Sequence, residues 1–274
     1  MSIHQEQVQF EIGFATDAGR KRSGEPNQDA LEAILPEPRG RWHPPLLIVA
    51  DGLGKHMGGA LASKLVVQAF KREFVNAAHP TDYLPLLERC AQKAHQAVRM
   101  QGAKDEKLAN MGSTVVAATL FRGMLYVLNV GDSRAYVLRG EKMIQVSQDQ
   151  SWVAMQVKAG ILTEQEARTH PSRNRLNMAI TARRTEIKPY LAKEKLERDD
   201  IVVLCSDGLW GVIPETLIWA AASELPPKVA VKKLVSLANR SQGPDNISVI
   251  VARQVASDRK TASKPPGRES AEFE

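Results

Sequence analysis

Two aspartates, Asp51 and Asp207, each end a hydrophobic run and are followed at once by glycine, in LLIVADGLG and VVLCSDGLW. A buried strand that ends in a carboxylate presents that group at the edge of a core, where a hard cation can bind. The glycine lets a backbone carbonyl turn toward the same ion. Three further aspartates lie in short polar segments: Asp29 in PNQDA, Asp132 in NVGDSRAY and Asp245 in GPDNISVIV. Since oxygen-only ligands favour Mg²⁺ or Mn²⁺ over zinc, the pattern indicates a divalent-cation site of that type.

The alternative interpretation is that these aspartates are turn residues, because Asp-Gly and Asp-Asn pairs are common in turns. It fits Asp132 and Asp245, which both precede strand-like runs. It fits Asp51 and Asp207 less well, because the segments after them, ALASKLVVQAF and PETLIWAAA, have helical spacing of apolar residues.

Composition limits the class of protein. The chain has 274 residues, of which 43% are hydrophobic, enough for one large core or two small ones. No apolar run approaches the roughly 18 residues needed to span a bilayer, and MSIHQEQVQ is unlike a signal peptide. Cys90, in a predicted helix, and Cys205, in a predicted strand, are expected to be reduced core residues. We therefore expect a cytoplasmic protein that does not bind a membrane.

The net charge of +6 is unevenly distributed. Between Arg168 and Arg198 there are nine Lys and Arg residues against three Glu, an excess equal to the whole-chain value. Nucleic acid is one partner for such a patch, but only 5% of the residues are aromatic and no recognition motif accompanies it. A solvated basic insertion and a docking surface for phosphorylated substrate both remain open.

Apolar spacing predicts strands in blocks and helices in pairs. Helices are expected from Ser63, over 82–101 with Thr81 or Asp82 as N-cap, over 151–160 and 163–168, and over 214–223 and 227–240. Strands are expected over 10–17, 29–35, 46–51, four segments of a meander within 113–147, 201–207 and 247–253. This order favours an α+β fold in which two antiparallel sheets stack face to face with helices outside.

Six short blocks resemble, in order, those of the metal-dependent protein phosphatases of the PP2C type. They are Asn27-Gln28-Asp29, the segment from Asp51 to Ser63, Gly112-Ser113-Thr114, Gly131-Asp132-Ser133-Arg134, the segment from Ser206 to Trp210, and Gly243-Pro244-Asp245-Asn246. The match covers roughly residues 10–252. The resemblance implies a four-layer αββα sandwich over 10–254, with a flap in the basic segment at about 160–198. Residues 1–9 are expected to be an N-terminal segment and 255–274 a disordered polar tail.

The resemblance also implies a binuclear Mn²⁺ or Mg²⁺ centre. Asp51 would bridge the two ions, the Gly52 carbonyl would bind one, and Asp29 would support the second directly or through water. Asp207 and Asp245 would hold the first ion. In bacterial members a pair resembling Asp132 and Asp207 holds a weaker third ion.

In this family a water between two cations becomes the nucleophile, so no covalent intermediate is needed. His56 matches the histidine proposed to protonate the leaving serine or threonine oxygen. Arg22, with Arg20 as the alternative, would bind the substrate phosphate. The expected protein is a monomeric serine/threonine phosphatase that acts on phosphorylated proteins, opposes a partner kinase and binds no nucleic acid.

The sequence departs from the family pattern at three places. Four residues separate Arg22 from Asn27 where two are usual, and Lys55 replaces a glycine. The segment Leu176–Thr181 differs from the usual L-T-R-A-L-G block. The Arg22 spacing and the altered Leu176–Thr181 segment leave open a catalytically impaired member that binds phosphoproteins, and the charge leaves open a nucleic-acid-binding domain.

Overall fold

The computed structural model describes residues 9–35, 42–54, 57–78, 80–241 and 243–255. The expected N-terminal segment, apart from its last residue, and the expected disordered tail, apart from its first, lie outside the described residues, as do Lys55 and His56.

Two five-stranded antiparallel sheets form the centre of the fold. The first contains, in spatial order, β1 (Gln9–Asp17), β13 (Ile247–Val255), β12 (Ile201–Cys205), β8 (Arg134–Arg139) and β9 (Lys142–Gln145). The second contains β11 (Tyr190–Lys195), β7 (Met124–Val130), β6 (Val115–Phe121), β3 (Leu46–Ala50) and β2 (Ala30–Ile34). A small third sheet joins β10 (Ile180–Thr181), β5 (Gly112–Ser113) and β4 (Gly52–Leu53).

Helices cover the outer face of each large sheet. The second sheet packs on α1 (Met57–Val75) and α2 (Leu84–Gly102), and the first on α5 (Asp207–Trp210), α6 (Glu215–Glu224) and α7 (Pro227–Arg240). Two further helices, α3 (Trp152–Lys158) and α4 (Glu164–Thr169), lie between β9 and β10. The expected α+β, four-layer αββα sandwich is confirmed.

The central strands are apolar throughout because both of their faces are buried. In β3, Leu46, Ile48 and Ala50 pack toward the helices, whereas Leu47 and Val49 pack into the layer between the sheets. The strand β12 repeats this alternation. Side chains of successive strand residues point to opposite faces, so a two-sided core requires a continuous hydrophobic run.

Two boundaries differ from the sequence prediction. Helix α1 begins at Met57 rather than at Ser63, because its first turn contains Gly58 and Gly59, which are weak helix formers and conceal the start. Before α2, Asp82 Oδ1 accepts a hydrogen bond from the Leu84 amide at 3.0 Å, but the capping position itself is Tyr83.

The segment at 160–198, interpreted from sequence as a basic flap, contains regular structure. It includes α4, β10 and the edge strand β11, which pairs antiparallel with β7. None of the helices in the described part of the chain is long and apolar enough to cross a membrane.

Candidate active site

The two aspartates that end hydrophobic runs occupy equivalent places in the two sheets. Asp51 directly follows β3, and Asp207 begins α5 one residue after β12. Asp29 directly precedes β2, while Asp132 lies in the turn between β7 and β8 and Asp245 in the approach to β13. Four of the five thus lie in loops, and Asp207 lies in the first turn of a helix.

The electrostatics of Asp51 show that the five carboxylates converge. Burial raises the pKa of Asp51 well above its ordinary value, and repulsion from Asp29, Asp207, Asp132 and Asp245 raises it further. Such repulsion is effective only between close charges. The structure therefore brings together all five aspartates singled out in the sequence.

Burial is also the main cause of the raised pKa values of Asp29, Asp207 and Asp132. It raises the pKa of Asp29 to about 7, against hydrogen bonds from Ser206 and Ser248 that lower it. It raises the pKa of Asp207 to about 6, helped by repulsion from Asp245. For Asp132 the pKa rises well above its ordinary value through burial and repulsion from Asp207.

Two carboxylate oxygens in this cluster lack hydrogen-bond partners. Asp29 Oδ1 and Asp207 Oδ1 are buried and accept no hydrogen bond from any described residue. A buried, unpaired carboxylate oxygen is costly unless a cation or water satisfies it. The donor set, all oxygen, fits Mg²⁺ or Mn²⁺, ions that keep several water ligands. Among the described residues, no three His, Cys, Asp or Glu side chains are arranged so that they could hold a metal ion by themselves.

Hydrogen bonds connect the sequence blocks and hold the Asp29 loop in place. Ser206 Oγ donates to Asp29 Oδ2 at 2.8 Å and accepts from the Ser248 amide at 3.0 Å. Asn246 Oδ1 accepts from the Gln28 amide at 2.8 Å, and Ser63 Oγ donates to the Gln28 carbonyl at 2.6 Å. The blocks are distant in sequence but contact one another around the carboxylates.

The Asp51–Gly52 backbone is equally constrained. The Thr114 amide and Ser113 Oγ donate to the Asp51 carbonyl at 2.8 and 3.0 Å. A Cβ on Gly52 would lie 2.3 Å from the Gly59 carbonyl oxygen and 2.4 Å from that of Gln28. Only glycine fits there, because both obstacles are backbone atoms.

A second network holds Asp132 beside Asp207. Trp210 Nε1, in the same helix as Asp207, donates to the Asp132 carbonyl at 3.0 Å. The Arg134 guanidinium lies 3.5 Å from the centre of the Trp210 ring and donates from both Nε and Nη2 to Asp149, at 2.7–3.0 Å. A planar guanidinium suits this combination of stacking and bidentate pairing.

Arg22, rather than Arg20, lies at the carboxylate cluster. Arg22 Nη1 is 3.1 Å from Asp245 Oδ1, and the residue lines the same cleft as Asp207. Arg20 belongs to the same 3₁₀ turn, Arg20–Arg22, but does not line this cleft. The two additional residues before Asn27 are accommodated by a turn in which the Glu25 amide donates to the Arg22 carbonyl at 2.8 Å.

The cleft has a volume of about 770 Å³. Asp132, Asp207 and Asp245 lie along it, and residues of α3, α4 and the following loop form one wall, including Lys158, Arg168 and Arg173. Arg168 Nη2 lies 3.8 Å from Glu215 Oε1. The cleft thus combines an acidic end with cationic side chains.

Sequence reasoning missed several residues that build this site. Ser206 and Asn246 lie within the family-like blocks, but the sequence analysis assigned them no function. Their position next to Asp207 and Asp245 could have indicated that their polar side chains support the site. Asp149 and Gln150 follow β9 in a polar segment without a distinguishing pattern. His56, the predicted acid, lies outside the described residues. Both cysteines are buried free thiols, as expected.

The chain belongs to the protein phosphatase 2C family: the family model for Protein phosphatase 2C matches residues 17–225. The serine/threonine protein phosphatase PstP of Mycobacterium tuberculosis is 33% identical over 78% of this chain. That match covers 41% of PstP, so the chain spans about two fifths of this relative's length. The protein phosphatase PhpP of Streptococcus pneumoniae is 32% identical over 88% of this chain and 96% of its own.

Solved structures agree with this membership. The serine/threonine phosphatase Stp1 of Staphylococcus aureus superposes with a TM-score of 0.84 at 28% identity, over 93% of this chain and 100% of that one. The catalytic domain of PstP in complex with two manganese ions superposes with a TM-score of 0.77 at 29% identity, covering 90% of this chain and 99% of that one. Both of these solved structures are of serine/threonine phosphatases, and that of PstP contains two manganese ions.

Proposed function

We propose that this protein is a metal-dependent protein serine/threonine phosphatase that hydrolyses phosphoserine and phosphothreonine. The observation that carries the proposal is the convergence of five aspartates, three of which line the cleft, with buried oxygens of Asp29 and Asp207 that accept no hydrogen bond from the described residues. Two Mn²⁺ or Mg²⁺ ions at this cluster would supply an acidified water for attack on phosphorus and neutralise the phosphoryl oxygens.

Each residue then has a defined task. Asp51 would bridge the two ions and the Gly52 carbonyl would bind one of them. Asp207 and Asp245 would hold the first ion and Asp29 the second. Asp132, fixed by Trp210 next to Asp207, would support a third, weaker ion with it. The close packing around Gly52 supports a fixed direction for its carbonyl.

Arg22 would hold the substrate phosphate, because it carries a guanidinium into the cleft. Its 3.1 Å contact with Asp245 would loosen as a cation competes for that carboxylate. His56 would protonate the leaving oxygen. The alternative of a catalytically impaired member loses one of its two grounds, since the longer spacing to Asn27 still leaves Arg22 beside the carboxylates. Its other ground is the altered segment Leu176–Thr181.

The physiological setting is also a proposal. A partner serine/threonine kinase would supply the substrate phosphoproteins. The two buried, unpaired cysteines support a reducing compartment, for which we propose the cytoplasm. The protein would act as a monomer, without binding nucleic acid.

Phosphate release from a phosphothreonine peptide tests the function, with Mn²⁺, with Mg²⁺ and with EDTA. We expect turnover that requires Mn²⁺ or Mg²⁺ and stops in EDTA. Calorimetry with the same peptide provides the control: binding in Mn²⁺ without consumption of the peptide would identify a phosphoprotein-binding member instead.

A further inference from the structure

The two helices α3 and α4 leave the sandwich and return to it through a narrow base. We call residues 151–176 the α3–α4 segment; its first and last residues, Ser151 and Leu176, form an isolated antiparallel bridge. The Gln150 carbonyl accepts from the Asn177 amide at 2.8 Å and from the Met178 amide at 3.2 Å. Asn177 Nδ2 donates to the Ser151 carbonyl at 3.1 Å. Two residues just outside the segment thus close its base.

Gln150 also fastens this base to the turn that carries Asp132. The Gly131 amide donates to Gln150 Oε1 at 3.0 Å, and the Gln150 amide donates to the Gly131 carbonyl at 2.9 Å. On its other side, Gln150 Nε2 donates to the Lys188 carbonyl at 2.9 Å, in the loop before β11. One side chain therefore contacts the adjoining ends of the paired strands β7 and β11, just beyond the Asn129–Tyr190 pair.

The α3–α4 segment forms a wall of the cleft, so its position determines the width available to a substrate. Val153, Lys158 and Arg168 come from this wall, while Asp207 and Arg22 lie at the acidic end. A small phosphate ester needs only the acidic end. A phosphopeptide must also place its flanking residues along the wall.

We propose that Gln150 and Asn177 are positioning residues that hold the α3–α4 segment at the separation a phosphopeptide requires. The inference rests on the proposed function and identifies what selects extended phosphopeptides over small esters at the same site. Asn177 lies within Leu176–Thr181, the block that departs from the family pattern. Its side-chain amide supplies the hydrogen bond to the Ser151 carbonyl at the base of the segment.

The test uses Gln150→Leu and Asn177→Leu, which remove the side-chain hydrogen bonds at similar volume. The matched control is Gln165→Leu, in α4, whose exposed side chain makes no hydrogen bond within the described part of the chain. Hydrogen exchange of amides 152–176 should accelerate about tenfold in the first two variants, because each loses one or two modest hydrogen bonds. It should stay within about twofold in the control.

Kinetics provide the second measurement. In both variants we expect KM for a phosphothreonine peptide to rise roughly five- to tenfold. In Asn177→Leu, whose side chain does not contact the turn that carries Asp132, kcat/KM for p-nitrophenyl phosphate should stay within about twofold. Gln150→Glu retains the acceptor for Gly131 but loses the donor to Lys188, so its effects should be intermediate. If Gln150→Leu fails to fold, Asn177→Leu carries the test.

Unchanged exchange and unchanged peptide KM in both variants would overturn the proposal. So would an equal loss of activity toward peptide and small ester in Asn177→Leu, because Asn177 would then act on the chemistry itself. Absence of turnover of either substrate by the wild-type protein would instead refute the proposed function. In that case hydrogen exchange would still report on the base of the segment.

Discussion

At the scale of single residues, four aspartates of the cluster, Asp29, Asp51, Asp132 and Asp207, have pKa values raised above that of an ordinary aspartate. Asp29, with a pKa of about 7, and Asp207, with a pKa of about 6, are raised above the unfolded value mainly by burial. At a pH between the unfolded and the folded pKa values, Asp29 and Asp207 therefore stay protonated in the folded, metal-free protein, whereas they are ionised in the unfolded chain. A bound cation removes this difference, because it stabilises the charged form.

This difference predicts how pH affects the metal-free protein. An acid with a raised pKa in the folded state destabilises that state as pH rises from the unfolded pKa through the folded one. In EDTA, the free energy of unfolding should decrease by on the order of several kcal/mol between about pH 5 and about pH 8. The melting temperature should fall accordingly. Added Mn²⁺ should restore it most at the upper end. A melting temperature independent of both pH and Mn²⁺ would refute the account of the carboxylates.

The close packing of backbone atoms around Gly52 leaves no room for a side chain at this position. Gly52→Ala would place a Cβ 2.3 and 2.4 Å from two carbonyl oxygens. We therefore expect the variant to be about 2–4 kcal/mol less stable and to lose metal-dependent turnover. Gly24→Ala is the control, because no atom lies within 4 Å of its added Cβ. Denaturant unfolding compares the two, and equal stabilities would contradict the close packing.

At the scale of elements, the site depends on contacts between strand ends. Asn246, before β13, joins the Gln28 loop through Oδ1 and the Ala18 carbonyl through Nδ2, at 2.8 and 2.9 Å. It thereby connects the first sheet to the loop that carries Asp29.

Asn246→Ala should destabilise the protein by about 2–3 kcal/mol, because it leaves a backbone donor and an acceptor without partners. Metal affinity should weaken with it, as the Asp29 loop is released. Denaturant unfolding and Mn²⁺ calorimetry are the measurements, with Asn110→Ala as a control on an exposed side chain. Stability and affinity that match this control would show that the contact does not position Asp29.

The elements also show which structure a sequence can reveal. The strands β3 and β12 were predictable because burial on both faces demands an unbroken apolar run. The edge strand β11, YLAKEK, was missed because half of its residues are charged and none is fully buried. The aspartates were found because each stands at the end of a recognisable element. The pairing of Arg134 with Asp149 and the contacts of Gln150 were not, because they depend on how loops meet in space.

At the scale of the whole molecule, the chemistry does not require a thiol. Cys90 and Cys205 are fully buried, and burial raises the pKa of each to about 12. We expect iodoacetamide at about pH 8 to leave the native protein unmodified and fully active, because the thiolate is the reactive form. Mass spectrometry and phosphate release measure the two effects. Alkylation with loss of activity under native conditions would contradict a metal-based mechanism.

The central claim is that the aspartate cluster binds the cations on which phosphatase activity depends. The most direct measurement compares the wild-type protein with Asp207→Asn for Mn²⁺ affinity by calorimetry and for phosphate release from a phosphothreonine peptide. We predict that the variant retains its fold, binds Mn²⁺ at least about tenfold more weakly and loses turnover by about a hundredfold or more. Full activity and unchanged Mn²⁺ affinity in a folded Asp207→Asn protein would contradict the claim.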